Sequence, residues 1–341
     1  MHFSLEFSHS PEAKTLPSII ILGTGGTIAA AATSVENTTD YSLAHGVEAV
    51  IKAVPQLHTI ASISGEQVVN VSSQEINNSV LLTLAQRINV LLCSDLIDGI
   101  VITHGTDTME ETAYFLNLVV KSTKPVVLVG AMRPSTALSA DGPSNLLNAV
   151  AVAASPKSHG MGVLMALNGH IGAARHMVKI HTVGTDAFSG QEYGAIGSVI
   201  DGKVDFHAAP LRSHTVQCDF DVSLLTTLPE VEIIYGFQGA GVTLFKAAIS
   251  AGAKGIVFAA TGNGTLSEAA KKGALMAQEN GVAFVRSTRV ASGTVSIKSN
   301  DIEFNTVASN SLNPQKARVL LTLALTLTND LPKLQDYFDR Y

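Results

Sequence analysis

Residues 18–29 read Ser-Ile-Ile-Ile-Leu-Gly-Thr-Gly-Gly-Thr-Ile-Ala, a short apolar run that ends in a glycine-rich turn. The same plan recurs along the chain, because other runs rich in Ile and Val also end at or just before Gly, Thr or Asn and lead into a helix-like stretch. The clearest runs lie at 18–22, 99–103, 125–129 and 162–167. Continuous apolar runs joined by helical crossovers are typical of buried parallel strands. The sequence therefore predicts an α/β fold with a mostly parallel sheet and flanking helices.

The regular alternation lapses from about Val204 to Pro229, where His, Pro, Ser, Thr and Asp become frequent. It resumes with apolar runs at 231–235, 255–259 and 283–286, and a helix over 313–328 is expected because Asn313-Pro314 is a favoured helix opening. We therefore predict three segments after residue 15. They are a larger N-terminal α/β domain at 16–209, a linker at 210–229 and a smaller C-terminal α/β domain at 230–341.

Composition narrows the class of protein. The 341 residues include 46% hydrophobic and 15% charged residues, with a net charge of −6, whereas about 25% charged residues is typical. The basic residues are scattered, which argues against a nucleic-acid partner. A membrane span needs about 20 apolar residues in a row, and the longest apolar stretches reach about half of that, so we expect no membrane partner. Little charge over so long a chain also suggests a buried subunit interface.

The ends of the chain and its two cysteines add little. Residues 1–15 lack the basic and apolar regions of a secretory signal and are interpreted as a tail or a leader remnant. Cys93 and Cys218 offer neither a disulfide framework nor a zinc-ribbon site.

The first glycine-rich turn, at 23–29, does not match a phosphate-binding motif. A dinucleotide fingerprint needs a third glycine where this chain has Ile28, and the ending of a Walker A loop is absent. Two interpretations stay open. The glycines serve a tight turn that needs positive φ, or they expose backbone N–H groups to a substrate while the hydroxyl of Thr24 or Thr27 faces it.

The second motif spans 103–112 and reads Thr-His-Gly-Thr-Asp-Thr-Met-Glu-Glu-Thr. Four hydroxyls, one histidine and three carboxylates are too many for a structural turn. The side chain of Asp107 or Thr108 is expected to cap the following helix, with Glu110-Glu111 as dipole partners on a solvated face. For His104, a structural and a catalytic role are equally favoured.

Together with five further segments, these two motifs closely resemble those of the bacterial L-asparaginases, in particular the type II enzymes. The resemblance extends from about residue 16 to residue 341. The further segments are Gly65-Glu66-Gln67-Val68-Val69-Asn70, Ser73-Gln74, residues 129–135, residues 139–143 and Leu312-Asn313-Pro314-Gln315-Lys316-Ala317-Arg318. The spacing of TGGTIA and HGTDTMEETA makes a chance match hard to credit.

The resemblance implies an amidohydrolase that converts L-asparagine and water to L-aspartate and ammonia through a covalent acyl-enzyme. In the family, the second Thr of TGGTI is the nucleophile, which is Thr27 here, and a mobile lid carries a Tyr that matches Tyr41. The Thr-Asp of HGTD, here Thr106 and Asp107, acts with a Lys that best matches Lys179. A free Thr hydroxyl is a weak nucleophile, so a partner that accepts its proton is physically reasonable.

The resemblance also implies substrate contacts and an assembly. Ser73, Gln74 and Asp107 are expected to bind the α-carboxylate and α-ammonium groups of the substrate. The family forms homotetramers, as dimers of tight dimers, in which a neighbour completes each site. No cofactor or metal is expected. The location is expected to be cytoplasmic as the chain stands, or periplasmic if a leader has been removed, as in type II relatives.

Two loops depart from the family pattern. An acid that the adjacent subunit usually supplies falls on Asn300 and Asp301, with Glu303 as the next acid, and residues 235–240 replace an Asn-containing segment. Because both loops influence the choice between asparagine and glutamine, a mixed-specificity glutaminase-asparaginase is the nearest rival hypothesis. A catalytically silent amino-acid-binding homologue is the second, and a nicotinamide dehydrogenase is a third, weakened by Ile28.

One feature of some relatives is missing. They pair two cysteines at positions near Cys93 and Ser122, and the serine makes that bridge impossible here.

Overall fold

The computed structural model describes residues 16–34, 36–37 and 41–341, so the predicted N-terminal tail lies outside the described residues. Two α/β domains follow each other along the chain, a large one with a mostly parallel sheet and a smaller one with a parallel sheet. The predicted fold class is confirmed. No helix among the described residues is long and apolar enough to cross a membrane.

The large sheet has eight strands in the order β12-β11-β8-β7-β6-β5-β1-β4. Strands β4, β1, β5, β6 and β7 are parallel, whereas β8, β11 and β12 extend the sheet by antiparallel pairing. The strands are β1 (Ser18–Gly25), β4 (Ser62–Val71), β5 (Gly99–Thr103), β6 (Val126–Val129), β7 (Val163–Leu167), β8 (His170–Ala173), β11 (Gly197–Ile200) and β12 (Lys203–Phe206).

The small sheet has four parallel strands in chain order, and two short antiparallel pairs lie outside both sheets. The small sheet contains β13 (Val231–Tyr235), β14 (Gly255–Ala260), β15 (Ala283–Thr288) and β16 (Thr306–Ala308). The short pairs are β2 (Ala30–Ala31) with β3 (Ser42–Leu43), and β9 (Val178–Lys179) with β10 (Phe188–Ser189). The domain boundaries at 209/210 and 229/230 stay predictions.

In the part of the chain that the structure describes, eight α-helices cover the sheets. They are α1 (Val47–Lys52), α2 (Asn78–Leu92), α3 (Met109–Val119), α4 (Gly142–Ala153), α5 (Thr243–Ser250), α6 (Glu268–Glu279), α7 (Pro314–Ala324) and α8 (Leu331–Arg340). Strands β5, β6 and β7 are fully buried because α2 and α3 cover one face of the large sheet while α1 and α4 cover the other. The core around α2 and α3 continues into α7, so one apolar core joins the two domains.

Strand register brings three loops to one edge of the large sheet. Gly23 of β1 lies opposite Thr103 of β5, and Gly25 lies opposite Val71 of β4, so the loops after these three strands open on the same side. The chain passes from β1 to β4 on one side and then to β5 on the other. Open α/β sheets bind ligands at such a switch point, which places the expected site between β1 and β5.

Two helix predictions need correction. Helix α3 begins after Thr108 with no capping bond from a side chain, because the Thr108 hydroxyl donates to the carbonyl of Ser73 at 2.8 Å. Thr108 is thus the N-cap residue, as one of the two predicted positions, but the expected capping bond from its side chain is absent. Helix α7 ends at Ala324 instead of 328, because the chain then tightens into turns such as Thr326 N–H to Leu323 O. Asn313 is its cap, as predicted, and its Oδ1 accepts the Lys316 N–H at 3.0 Å.

A buried ion pair holds the loop that precedes β16. Arg286 donates from Nε and Nη2 to the two oxygens of Asp301, each at 2.6 Å, and these side chains are 1% and 9% exposed. Asp301 also accepts from the Thr306 hydroxyl and the Lys298 N–H. Burial opposes the charged carboxylate, but the hydrogen bonds from Arg286, Thr306 and Lys298 outweigh it, and the pKa of Asp301 is lowered.

We expect Asp301→Ala to lower the free energy of unfolding by about 3–5 kcal/mol, because the substitution leaves the Arg286 charge buried without a partner. The lowered folded-state pKa means that the carboxylate stabilises the fold above its unfolded-state pKa and loses this effect as the pH falls through the folded value. The unfolding temperatures of the unmodified protein and of the Asp301→Ala variant should therefore differ most near neutral pH and converge in acid. The control is Asp205→Ala, which breaks a pair with 62% and 75% exposed side chains and should cost less than about 1 kcal/mol. Equal losses in the two variants would contradict the prediction.

Candidate active site

The loops after β1 and β5 touch at two glycines. Gly26 has a φ of 81°, and a Cβ on it would lie 2.2 Å from Gly105 Cα. A side chain at Gly105 would in turn meet the Ser73 side chain at 2.8 Å. Only glycine fits both positions, because the two backbones leave no room for a Cβ between them. The glycine-rich turn therefore brings the residues that follow it close to the second motif.

The touching loops form one wall of an open cavity of about 480 Å³, within the usual range of roughly 300–1,000 Å³ for small-molecule sites. Most of the predicted site residues line it, and Lys179 reaches the same place through its hydrogen bonds. The lining residues are Gly26, Thr27, Tyr41, Ser42, Leu43, Ser72, Ser73, Gln74, Gly105, Thr106 and Asp107.

The first polar pair in the cavity is Thr27 with Tyr41. Their hydroxyl oxygens are 2.8 Å apart, and either can donate. Thr27 opens a 3₁₀ turn at Thr27–Ala29 and is 6% exposed, whereas Tyr41 is 40% exposed. The chain returns to Thr27 through the β2–β3 pair, in which Ala30 lies opposite Leu43. The two residue pairs between β2 and β3 are therefore the regular secondary structure next to Tyr41.

The second polar group is built around Lys179. Its Nζ donates to the Thr106 hydroxyl at 2.9 Å and to Asp107 Oδ1 at 2.6 Å. The Lys179 side chain is 16% exposed and the Asp107 side chain 64% exposed. Because an ammonium group can only donate, the Thr106 oxygen accepts from Lys179 and its own O–H is directed elsewhere. The predicted triad of Thr106, Asp107 and Lys179 is thus in mutual contact.

Ser73 and Gln74 lie in the 3₁₀ turn after β4 and line the same cavity as Thr27 and Thr106. Ser73 is buried against Gly105, and its carbonyl holds the Thr108 hydroxyl, which fixes this turn against the start of α3. Gln74 is exposed toward the cavity opening. Both residues are within the cavity lining, as their predicted role in substrate binding requires.

Two candidates from the motifs have structural roles. Thr24 is 1% exposed and its hydroxyl donates to the Thr103 carbonyl at 2.8 Å. His104 is fully buried, with Nδ1 2.7 Å from the Gly105 carbonyl and Nε2 2.9 Å from the Thr112 hydroxyl. Burial lowers the pKa of His104 to about 4, so at neutral pH the ring is neutral, with its proton on Nδ1. Neither side chain faces the cavity.

Glu110 departs most from the sequence interpretation. It is 5% exposed instead of solvated, and its Oε2 accepts the backbone N–H of Lys179 at 2.7 Å. Its other oxygen accepts from Asn313 of the C-terminal domain at 2.8 Å. The only sequence signal was the presence of Glu110 in the second motif, and the motif does not show which residues it contacts.

The nearby Lys316 is 1% exposed, and burial lowers its pKa to about 8.

The two divergent loops lie in the C-terminal domain. Asp301 is turned inward to Arg286, so it does not present its carboxylate to a neighbouring molecule, whereas Glu303 is exposed. In the other loop, Arg289 donates to the Gly236 carbonyl at 3.2 Å. Among the acids at 300–303, Glu303 is therefore the one available for contact with another subunit.

Within the described ranges, no group of three or more His, Cys, Asp or Glu side chains is arranged to hold a metal ion.

Comparison with known proteins gives matches over nearly the whole chain. Residues 18–212 match the family model described as "Asparaginase, N-terminal", and residues 230–338 match "Glutaminase/Asparaginase C-terminal domain". The "L-asparaginase 2" of Bacillus subtilis (strain 168) is 57% identical over 331 residues, which cover 97% of this chain and 88% of the relative.

A relative named "Glutaminase-asparaginase", from Pseudomonas fluorescens biotype A, is 45% identical and covers 97% of this chain, while this chain covers 92% of it. Among solved structures, the "Probable Cytoplasmic L-asparaginase from Campylobacter jejuni" is similar with a TM-score of 0.93 and 48% identity. The match covers 95% of this chain and 100% of the other.

Proposed function

The chain belongs to the L-asparaginase family, and from that membership and the cavity geometry we propose that it hydrolyses L-asparagine to L-aspartate and ammonia with Thr27 as the nucleophile. It is thus an amidohydrolase. The observation that carries the proposal is the presence of two hydroxyl groups in one cavity, each with a different partner: Thr27 with Tyr41, and Thr106 with Lys179. Tyr41 can take a proton from Thr27, whereas Lys179 leaves the Thr106 proton free to be donated to the leaving group.

In the first half-reaction, Thr27 Oγ1 attacks the side-chain amide carbon. Tyr41 Oη, 2.8 Å away, accepts the hydroxyl proton as it releases its own phenolic proton to solvent, which makes the Thr27 oxygen a better nucleophile. The carbonyl oxygen gains negative charge and needs hydrogen-bond donors. Among the bonds between described residues, the backbone N–H groups of Thr27 and Thr106 have no acceptor, so they are available for this oxyanion.

The Thr106 hydroxyl supplies the proton for the leaving group. Because Lys179 donates to the Thr106 oxygen, the Thr106 proton is free to pass to the amide nitrogen, and the C–N bond breaks to release ammonia. An ester between Thr27 and the aspartyl group is left. Water then attacks the ester carbon and passes a proton to the Thr106 oxygen, which restores that hydroxyl. Aspartate leaves as Thr27 takes its proton back from Tyr41 Oη, and Tyr41 regains a proton from solvent.

The head group of the substrate is held by Ser73, Gln74 and Asp107. Asp107 Oδ1 is bonded to Lys179, and among the described residues its Oδ2 accepts no hydrogen bond. That oxygen is therefore available to a substrate ammonium group, while the Ser73 and Gln74 side chains provide donors for the carboxylate. This arrangement fixes the amino acid with its side chain directed at Thr27.

A mixed activity on L-glutamine is the second candidate function. It is favoured by the relatives named for both activities, and the divergent segment at 235–240 is the part of this chain most relevant to it. Ammonia release from both amides under identical conditions decides between the two functions.

The assembly that we propose is a homotetramer. Its supports are the 15% content of charged residues and exposed apolar side chains such as Leu224 and Ile302, which are 92% and 83% exposed. Ile302 adjoins Glu303, so the loop at 300–303 is the part that we place at a subunit boundary. The alternative cytoplasmic and periplasmic locations both stay predictions, as does the absence of a cofactor.

We expect Thr27→Ala to lower kcat for asparagine by about a thousandfold or more, because the acylated oxygen is lost. The matched control is Thr24→Ala, which removes a buried hydrogen bond to Thr103 and should cost about 1 kcal/mol of stability while kcat stays near normal. An ammonia-release assay on both proteins makes the comparison. An active Thr27 variant with an inactive Thr24 variant would reverse the assignment.

Succinamic acid, which is asparagine without its α-amino group, should be hydrolysed at least about a hundredfold less efficiently than asparagine, because a site built to pair with an ammonium group rejects an analogue that lacks it. Asp107→Asn should bring the kcat/KM values for asparagine and succinamic acid closer together and should lower activity on asparagine. Similar rates on both substrates by the unmodified enzyme would remove Asp107 from this role.

Light scattering at the enzyme concentration of the assay should report the mass of four chains. Glu303→Gln should change activity if a neighbouring molecule uses this carboxylate, and Glu279→Gln, at the end of α6, is the matched control. A fully active monomer would contradict the proposed assembly.

A further inference from the structure

The first turn of α7, in the C-terminal domain, contacts the segment that carries Lys179. Asn313 caps this helix through Oδ1, and its Nδ2 donates to Glu110 Oε1 at 2.8 Å. Three residues further, in the same turn, Lys316 Nζ donates to the carbonyls of Arg175 at 3.0 Å and Met177 at 2.6 Å. The same helix turn therefore holds the Glu110 side chain and the backbone at 175 and 177.

Glu110 completes this contact at Lys179 itself. Its Oε2 accepts the Lys179 N–H at 2.7 Å while Oε1 accepts from Asn313, and the residue is 5% exposed. A buried carboxylate with both oxygens occupied has one favourable orientation. The backbone at 175, 177 and 179 is thus fixed at alternate residues, twice by Lys316 and once through Glu110.

Lys179 depends on this support because little regular structure surrounds it. Strand β9 has two residues, and Lys179 pairs there with Phe188 of β10. Its flexible side chain must nevertheless bring Nζ within 2.9 Å of the Thr106 oxygen. Misplacement of a catalytic group by about 1 Å can cost about a hundredfold in rate.

We propose that Glu110 and Asn313 are positioning residues for Lys179, so that the C-terminal domain of the same chain sets the geometry of the Lys179–Thr106 pair. The inference rests on the proposed function, since it assumes that Lys179 acts in catalysis. It assigns to Asn313 a second role in addition to its cap of α7.

The donor and acceptor pattern allows a reciprocal test. Glu110→Gln leaves one acceptor oxygen, so its new NH₂ group must face either the Asn313 NH₂ or the Lys179 N–H. Asn313→Asp keeps the cap but places a carboxylate against Glu110. In the double variant the new amide at position 110 donates to the new carboxylate at position 313, and its oxygen still accepts the Lys179 N–H.

We expect each single variant to lower kcat for asparagine by about tenfold or more, with KM changed less than about threefold, because Lys179 shifts while Ser73 and Gln74 stay in place. The double variant should return kcat to within about threefold of the unmodified enzyme. The control Glu111→Gln removes the neighbouring carboxylate, which accepts none of these hydrogen bonds, and should leave kcat unchanged.

Single variants with normal kcat, or a double variant as slow as the product of the two single effects, would overturn the inference. Thermal unfolding of each variant shows whether it folds. If a single variant does not fold, Asn313→Ser replaces it, because serine caps helices but is too short to reach Glu110. A folded serine variant with normal kcat would then overturn the inference. An unmodified enzyme that releases no ammonia would instead overturn the proposed function, and this inference with it.

Discussion

The contact between Gly26 and Gly105 determines where the other groups of the cleft can lie. A Cβ added to Gly26 would lie only 2.2 Å from Gly105 Cα. The loops after β1 and β5 can therefore come this close only because both contact positions are glycine. This approach places Thr27 and Thr106, one residue beyond each glycine, on the same cavity wall. One steric constraint therefore sets the positions of both hydroxyls.

Lys179 connects this cleft to the rest of the molecule. Its ammonium group reaches Thr106 and Asp107, whereas its backbone N–H is held by Glu110 and, beyond it, by Asn313. Its charged Nζ therefore meets the exposed Asp107, while its backbone N–H is held by the buried Glu110. The small domain therefore contacts the backbone of Lys179 through Glu110, in addition to sharing the apolar core with the large domain.

The fold was predictable from sequence because buried parallel strands are continuous apolar runs that end at turn residues, as at 18–22 and 99–103. The two motifs also indicated the edge of the sheet where the cavity lies. The surroundings of single side chains were not predictable. Glu110 reads as a helix-dipole residue, and only the packing of α3 on α7 buries it. The sequence places Asp301 at a subunit interface, and only its contact with Arg286 of β15, the strand beside β16, turns it inward.

The two hydroxyl pairs differ in how firmly they are held, and this difference fits their proposed order of use. Thr106 and Lys179 are tied to buried groups of both domains, whereas Tyr41 is 40% exposed and is placed by two residue pairs between β2 and β3. Among the described residues, Tyr41 is thus more exposed than Thr106 and Lys179, and regions with few buried contacts open most readily. In the reaction that we propose, the firmly held Thr106 keeps the proton donor for the leaving ammonia in position, and the contact of Tyr41 with Thr27 completes the nucleophile.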